Sequence, residues 1–418
     1  MNIVRSGLYS SIATAARLLA GLVVIKLVAA FAGPEGVGKL GQFMSLMSLL
    51  AVLAGGGIGT GIVKYVAEYR DDPPRLARLL AAALWYVLCA ACLMGGLALL
   101  FSRPITQWLL GDLRYQSLIQ ILSVAQLGVA LANYVLAVVN GFMDVRRLAY
   151  IQVVGSLLGV AMVCGLSYFF GLYGALLALV VNQALLLMVG LPAWRRSNYF
   201  QTGMLRMGFD REMVLRLAAF SVMTLTSALL PPMVNIAVRN HLAAQFSWDQ
   251  VGYWQAVSRV SDAYLLFITT AINIYYLPKL SGIKEPGLLK AELRSAYRHI
   301  MPVVIVLAAL VYLLRHVITW VLFTHDFAPA EALYAPQLLG DVIKIASFVL
   351  SYIMLAKAMT RVFVISECVF AISYLALVYL FTTHFGLIGA MYAFAVNYFF
   401  YLMFNVLVAR RYLSEVKQ

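Results

Sequence analysis

The chain alternates long apolar runs with short polar clusters, and the runs are longer than the elements of a soluble domain require. A helix needs about 20 predominantly apolar residues to cross the ~30 Å hydrocarbon core of a bilayer. Runs of that kind fall at 7–31, 39–66, 79–101, 115–140, 147–170, 173–193, 214–240, 250–276, 298–314, 333–356, 361–381 and 386–410, which predicts twelve transmembrane helices. Ala30–Ala32 imitates a signal-peptide cleavage site. Arg17 and Lys26 interrupt what would be its apolar region, so the first run is read as a span.

Composition agrees with that pattern. Of 418 residues, 63% are hydrophobic and 11% charged, against roughly 45–50% and 25% in soluble domains. The loops average only about a dozen residues, so a fused ATPase or a large catalytic domain has no room. Cys89, Cys92, Cys164 and Cys368 all lie in apolar runs, where they read as small hydrophobes and not as a disulfide framework.

The sequence repeats itself. FGLYGALLALVVN (170–182) matches FGLIGAMYAFAVN (385–397) at eight of thirteen positions, at an offset of 215, and Val37-Gly38 echoes Val251-Gly252 at an offset of 214. Two halves of six spans each enter the membrane from the same side, so a pseudo-two-fold axis along the membrane normal relates them. The expected fold is an all-α polytopic membrane protein, with lobes 1–200 and 201–418 around a V-shaped central cavity. Such lobes can rock about a midplane cavity, which is the architecture of an alternating-access transporter. The same 215 offset sets Gln126 against Asp341 and Gln152 against Glu367, acids in the second half where the first has amides.

A formal net charge of +14 invites a nucleic-acid reading, but placement argues otherwise. Of 31 basic residues, Lys39, Arg103, Arg114, Arg239 and Arg315 fall in loops opposite the N-terminus, and Arg17, Lys26, Lys64, Arg216, Arg259 and Lys344 fall inside spans; the remaining 20 lie on the N-terminal side. That asymmetry is the positive-inside rule with both termini cytoplasmic, and nucleic acid is not an expected partner. Asp262, Asp341 and Glu367 are the acids inside spans. Each intramembrane charge would cost about 2.5–3.5 kcal/mol facing lipid, so these groups should face an interior or a wet cavity. Arg259 with Asp262, and Asp341 with Lys344, are spaced to pair on one helix face. Arg216, Lys64 and Lys26 lie near span ends and can snorkel.

Six cations against three acids bias the cavity towards anions such as phosphate or carboxylate, which guanidinium groups engage bidentately. The expected substrate contacts are Arg17, Lys26, Lys64, Arg259 and Lys344, with Asp262, Asp341 and Glu367 for coupling and gating. Bending sites are expected at the glycines of LAGGGIGTG (Gly55, Gly56, Gly57, Gly59 and Gly61) and at Pro231 and Pro232. No catalytic residue, metal site or cofactor is expected beyond a coupling H⁺ or Na⁺. GPEGVGKL (33–40) has P-loop spacing but Leu40 where Mg²⁺ binding needs Ser or Thr, and Cys89-Ala-Ala-Cys92 has no second ligand pair.

LAAQFSWDQVGYWQAVSRVSDAYLLFITTAINIYYLPKLSGI (242–283), VIKLVAAFAGPEGVGKLGQF (24–43) and KYVAEY (64–69) resemble Wzx-type flippases of the multidrug/oligosaccharidyl-lipid/polysaccharide exporter superfamily, most closely the enterobacterial-common-antigen branch. The likeness of layout covers essentially the full chain. It implies movement of an undecaprenyl-diphosphate-linked oligosaccharide (lipid III or an O-antigen repeat unit) across the bacterial inner membrane bilayer, with ion-gradient coupling. It also implies a polysaccharide polymerase and a chain-length regulator as partners. The alternatives are a multidrug or metabolite exporter of the same superfamily and a non-transporting scaffold for glycan assembly.

Overall fold

The computed structural model describes residues 3–200, 208–283, 285–357 and 359–415. Among these the regular elements are all helical. They are α1 (Ile3–Ala54), α2 (Gly59–Tyr69), α3 (Pro73–Leu100), α4 (Ser102–Leu110), α5 (Gln116–Gly141), α6 (Val145–Arg195), α7 (Arg211–Gln245), α8 (Trp248–Gly282), α9 (Pro286–Leu313), α10 (Arg315–Leu322), α11 (Tyr334–Ala356), α12 (Thr360–Phe385) and α13 (Ile388–Glu415), with 3-10 turns at Leu113–Tyr115 and His325–Leu333. Among the described residues, eight helices are long and apolar enough to cross a membrane. The expectation of an all-α membrane protein holds.

Two of the eight are compound. Within α1, Gly33 turns the chain with φ 60° and ψ −161°, and Pro34 then opens the next helical stretch, where a missing N–H costs nothing. Within α6, Gly171 does the same with φ 56° and ψ −136°. Its repeat mate Gly386 has φ 67° and ψ −153° between α12 and α13. That region is essentially restricted to glycine, so the glycine shared by the two echoing segments makes the same turn in both halves. Four helical positions beyond the start of each segment the likeness continues. A methyl group on Gly174 would stand 1.9 Å from Leu166 O, and one on Gly389 would stand 2.2 Å from Phe381 O. Leu166 and Phe381 are themselves 215 residues apart.

The single helix expected over 39–66 is two. α1 ends at Ala54 and α2 starts at Gly59, with Gly56 and Gly57 at φ 60° and 68° between them. Of the expected bending glycines, Gly55, Gly56 and Gly57 form this break, while Gly59 and Gly61 lie inside α2. α7 runs through Pro231 and Pro232 without ending, so what the prolines remove is backbone hydrogen bonds within a continuous helix.

The chain divides into two compact units, one made of the residues up to Ala32 and Lys39–Ile236, the other of Gly33–Gly38 and the residues from Ala237 on. The core of the first is built from α2, α3, α5 and the end of α6, with Ile62, Leu79, Leu80, Val138 and Trp194 fully enclosed. The core of the second joins α8, α9, α11 and α13 through Leu280, Leu289, Val304, Ile345 and Val349.

The short Gly33–Gly38 segment packs on the start of α8. A methyl on Gly252 would lie 2.0 Å from Pro34 O, and one on Gly38 would lie 2.9 Å from Trp248 O. The Glu35 N–H donates to Asp249 Oδ1 at 3.2 Å. Gly38 and Gly252, Pro34 and Trp248, and Glu35 and Asp249 are each 214 residues apart. The contact is thus reciprocal, repeat against repeat, with glycine on both sides and the tighter approach at Gly252.

Candidate functional site

Within the second unit, four helices bring polar side chains together inside the apolar zone. Asp341 on α11 is fully buried. Its Oδ2 accepts from Ser261 Oγ at 2.5 Å and from Tyr264 OH at 2.8 Å, and its Oδ1 accepts from Gln337 Nε2 at 3.0 Å. Ser261 and Tyr264 share one face of α8 at i,i+3, and Gln337 and Asp341 share one face of α11 at i,i+4. Gln337 also donates to Ser261 Oγ at 3.2 Å, so the carboxylate is the centre of an α8–α11 cross-link. Three neutral donors supply what water would otherwise give a buried charge.

Around it the remaining charges are arranged on aromatic rings and amides. The Lys344 ammonium lies 5.7 Å from the Phe394 centroid and 5.6 Å from that of Tyr398, in cation–π range. It is close enough to Asp262 and Asp341 to feel both charges. Glu367 Oε1 accepts from Tyr401 OH at 2.7 Å. Arg259 is half-buried and Asp262 exposed.

Arg239 was expected in an outer loop, and the structure places it inside α7, nearly fully buried. Its Nε donates to Gln255 Oε1 at 2.8 Å and its guanidinium lies 5.4 Å from the Trp254 ring centroid. Arg259, Asp262 and Tyr374 all lie within its electrostatic reach. The signal was present in the pattern: Val238 and Leu242, which flank it at helical spacing, are fully buried, but Asn240-His241 reads as a loop start. Lys39, also expected in an outer loop, is buried with its ammonium 5.4 Å from the Tyr115 ring.

The structure therefore brings together Arg259, Asp262, Asp341, Lys344 and Glu367, and adds Arg239. Arg17, Lys26 and Lys64 belong to the first unit. Arg17 is exposed on α1 and Lys26 half-buried. Lys64 is exposed, with its ammonium 5.0 Å from the Tyr65 ring. Arg216, expected to snorkel, donates to Tyr69 OH at 2.8 Å and pairs with Glu212 at 2.8 Å.

With Arg239 included, the second-unit cluster holds three cations and three acids and is formally neutral. Residues 3–284 match the family described as polysaccharide biosynthesis protein. The chain belongs to this family. A relative named Lipid III flippase, from Escherichia coli (strain K12), is 36% identical over 403 residues, which is 96% of each chain. Among solved structures, the inward-facing conformation of a MATE family multidrug resistance transporter of the MOP superfamily has a TM-score of 0.82 at 14% identity, covering 96% of this chain and 95% of that one. A MOP superfamily transporter from Pyrococcus furiosus Vc1, described as having a binding pocket of reverse polarity, has a TM-score of 0.69 at 15% identity, covering 100% of this chain and 96% of that one. The family agrees with the resemblance carried by residues 242–283, and the fold is that of MOP superfamily transporters.

Proposed function

We propose that the protein moves an undecaprenyl-diphosphate-linked oligosaccharide from the cytoplasmic to the periplasmic leaflet of the bacterial inner membrane by alternating access. The observation that carries this reading is the 36% identity, over 96% of both chains, to a protein named Lipid III flippase. Twelve spans fit: α1 and α6 count as two each across Gly33 and Gly171, and α7 and α8 complete the set. Both termini then lie in the cytoplasm, as the basic loops require.

The cargo is a diphosphate with a polar glycan. Arg17, Lys26, Lys64, Arg259 and Lys344 attract it, and Arg239 holds the amide and indole beside Arg259. No covalent step is required. Asp262, Asp341 and Glu367 couple the cycle to H⁺ or Na⁺, and a polysaccharide polymerase and a chain-length regulator act on the product side.

The test is leaflet transfer of defined undecaprenyl-diphosphate glycans in proteoliposomes, with and without a pH gradient. Wild-type protein should transfer the glycan lipid, and Arg17→Ala and Arg259→Ala should each lower the rate at equal protein levels. Normal export by both variants would sink the anion-binding assignment. Protection of cells from cationic dyes with no glycan phenotype would instead favour a multidrug exporter.

A further inference from the structure

Two short helices have no part in the reading above. α4 (Ser102–Leu110) follows α3, and α10 (Arg315–Leu322) follows α9. Both preceding helices have 28 residues, or about 42 Å at 1.5 Å per residue, enough to reach from one interface to the other. Each then breaks at one residue in nearly the same conformation, Phe101 at φ −96°, ψ 18° and Leu314 at φ −89°, ψ 5°. The break is braced alike in both: Phe101 N–H donates to Leu97 O at 2.9 Å and Leu314 N–H to Leu310 O at 2.9 Å. These pairs are 213 residues apart, and the same offset aligns Ile105-Thr106 with Ile318-Thr319. The two helices are one repeat-related element.

Each helix buries a hydroxyl, Thr106 on α4 beside the buried Leu109 and Leu110, and Thr319 on α10. Thr106 Oγ1 is satisfied by Ser102 O at 2.7 Å, and Thr319 Oγ1 donates to Tyr334 OH at 3.4 Å. A tryptophan points outward on each: Trp108 is 62% exposed, beside exposed Pro104 and Gln107, and Trp320 is 72% exposed, with Val317 at 55%. Each helix also has an arginine five residues before its tryptophan. Arg103 is exposed, and Arg315 caps the end of α9 by donating to Tyr312 O at 2.8 Å while lying 4.3 Å from the Tyr312 ring centroid. Tryptophan with an apolar body and one N–H, on a short helix that also carries arginine, is the chemistry of a membrane–water interface.

We propose that α4 and α10 are paired interfacial anchors that lie in the outer-leaflet headgroup layer, with Trp108 and Trp320 at the headgroup–acyl boundary and Arg103 and Arg315 bound to phospholipid phosphates. The proposal rests on the reading of α3 and α9 as full spans. Each half of the protein thus carries its own depth marker at its outer end, at the surface where the cargo lipid is released.

The full chain is reconstituted in phospholipid vesicles carrying a nitroxide either near the headgroup or near the acyl terminus. The emission lost in Trp108→Phe and in Trp320→Phe should be quenched about two-fold or more by the shallow nitroxide relative to the deep one. A tryptophan introduced by Cys89→Trp, at an exposed site about 18 Å along α3 from Phe101, should show the opposite preference. If it does not, the span reading falls and the anchor with it. Normal deep quenching there, together with deep quenching or iodide quenching alone at Trp108 and Trp320, overturns the anchor only. For the phosphate, wild-type protein should gain thermal stability from phosphatidylglycerol over a phosphate-free glycosyl diacylglycerol. Arg103→Gln/Arg315→Gln should lose that difference, and a double variant that keeps it refutes the phosphate assignment.

Discussion

Replacing Gly252 with alanine puts a methyl group 2.0 Å from Pro34 O and 2.5 Å from Pro34 C. Both atoms are backbone and have no rotamer to change. Ordinary contact begins at 3.4 Å, so α8 and the Pro34 turn must separate by about 1.4 Å, which forfeits a large share of the dispersion contact along their crossing. Overpacking of this kind costs about 1–3 kcal/mol, while alanine returns about 1 kcal/mol of helix propensity. The net expectation is a loss of about 0–2 kcal/mol. Gly38→Ala meets Trp248 O at 2.9 Å, needs a shift of only about 0.5 Å and should come out near neutral. Gly96→Ala on α3 meets nothing within 4 Å and should stabilise by about 0.5–1 kcal/mol. Thermal inactivation of the detergent-solubilised protein, at one fixed scan rate because such unfolding is rarely reversible, should order the variants Gly96→Ala, Gly38→Ala, Gly252→Ala from most to least stable. Gly252→Ala at or above Gly96→Ala would refute the reciprocal crossing.

Other substitutions probe the polar groups. Asp341→Asn leaves one acceptor oxygen for Ser261, Tyr264 and Gln337 and turns an NH₂ towards a donor. A stranded buried donor costs about 1–3 kcal/mol, so the same thermal assay should fall more for Asp341→Asn than for Glu367→Gln, which keeps an oxygen for Tyr401. Lys357 donates to Leu280 O at 3.1 Å and also to Ile283 O, so Lys357→Met should cost about 1–2 kcal/mol and speed hydrogen exchange at the end of α8. In the turn before α5, the Arg114 side chain and N–H hold the Asp112 carboxyl below its ordinary value of 3.8. Its contribution is therefore present above that value and lost as pH falls through the lowered one. Exchange protection at 111–116 should drop on strong acidification in wild type and be insensitive to pH in Asp112→Asn.

The helical class was legible because lipid forces every backbone group into a helix, so long apolar runs have no other outcome. The repeat was legible where it rests on glycine, at 170–182 and 385–397, since that turn excludes other residues. It was not legible at α4 and α10, where few residues are shared and equivalence lives mainly in backbone angles. The break after Ala54 showed in sequence as a cluster of glycines, but which of them would leave the helix depends on Tyr86 and Leu225, whose rings and methyls fill the space beside Gly56 and Gly57. Arg239 was misplaced for a physical reason as well. A buried arginine is paid for by tertiary partners, here Gln255 and Trp254, that sit on another helix and leave no trace in local hydropathy.

That misplacement changes the electrostatic argument. The sequence counts six intramembrane cations against three acids and spreads the excess over the whole cavity. In the second unit Arg239, Arg259 and Lys344 are matched by Asp262, Asp341 and Glu367, so the positive excess belongs to the first unit, to Arg17, Lys26, Lys64 and Arg216, of which Arg216 pairs with Glu212. Asp341 is held by three neutral donors and acts as the α8–α11 cross-link, whereas Glu367 accepts from Tyr401 and Asp262 is exposed. Under the proposed cycle, each acid neutralised by a coupling ion adds one net positive charge to this cluster. Ion uptake then raises its attraction for a diphosphate, and ion release lowers it. Coupling and cargo capture can therefore reside in the same residues.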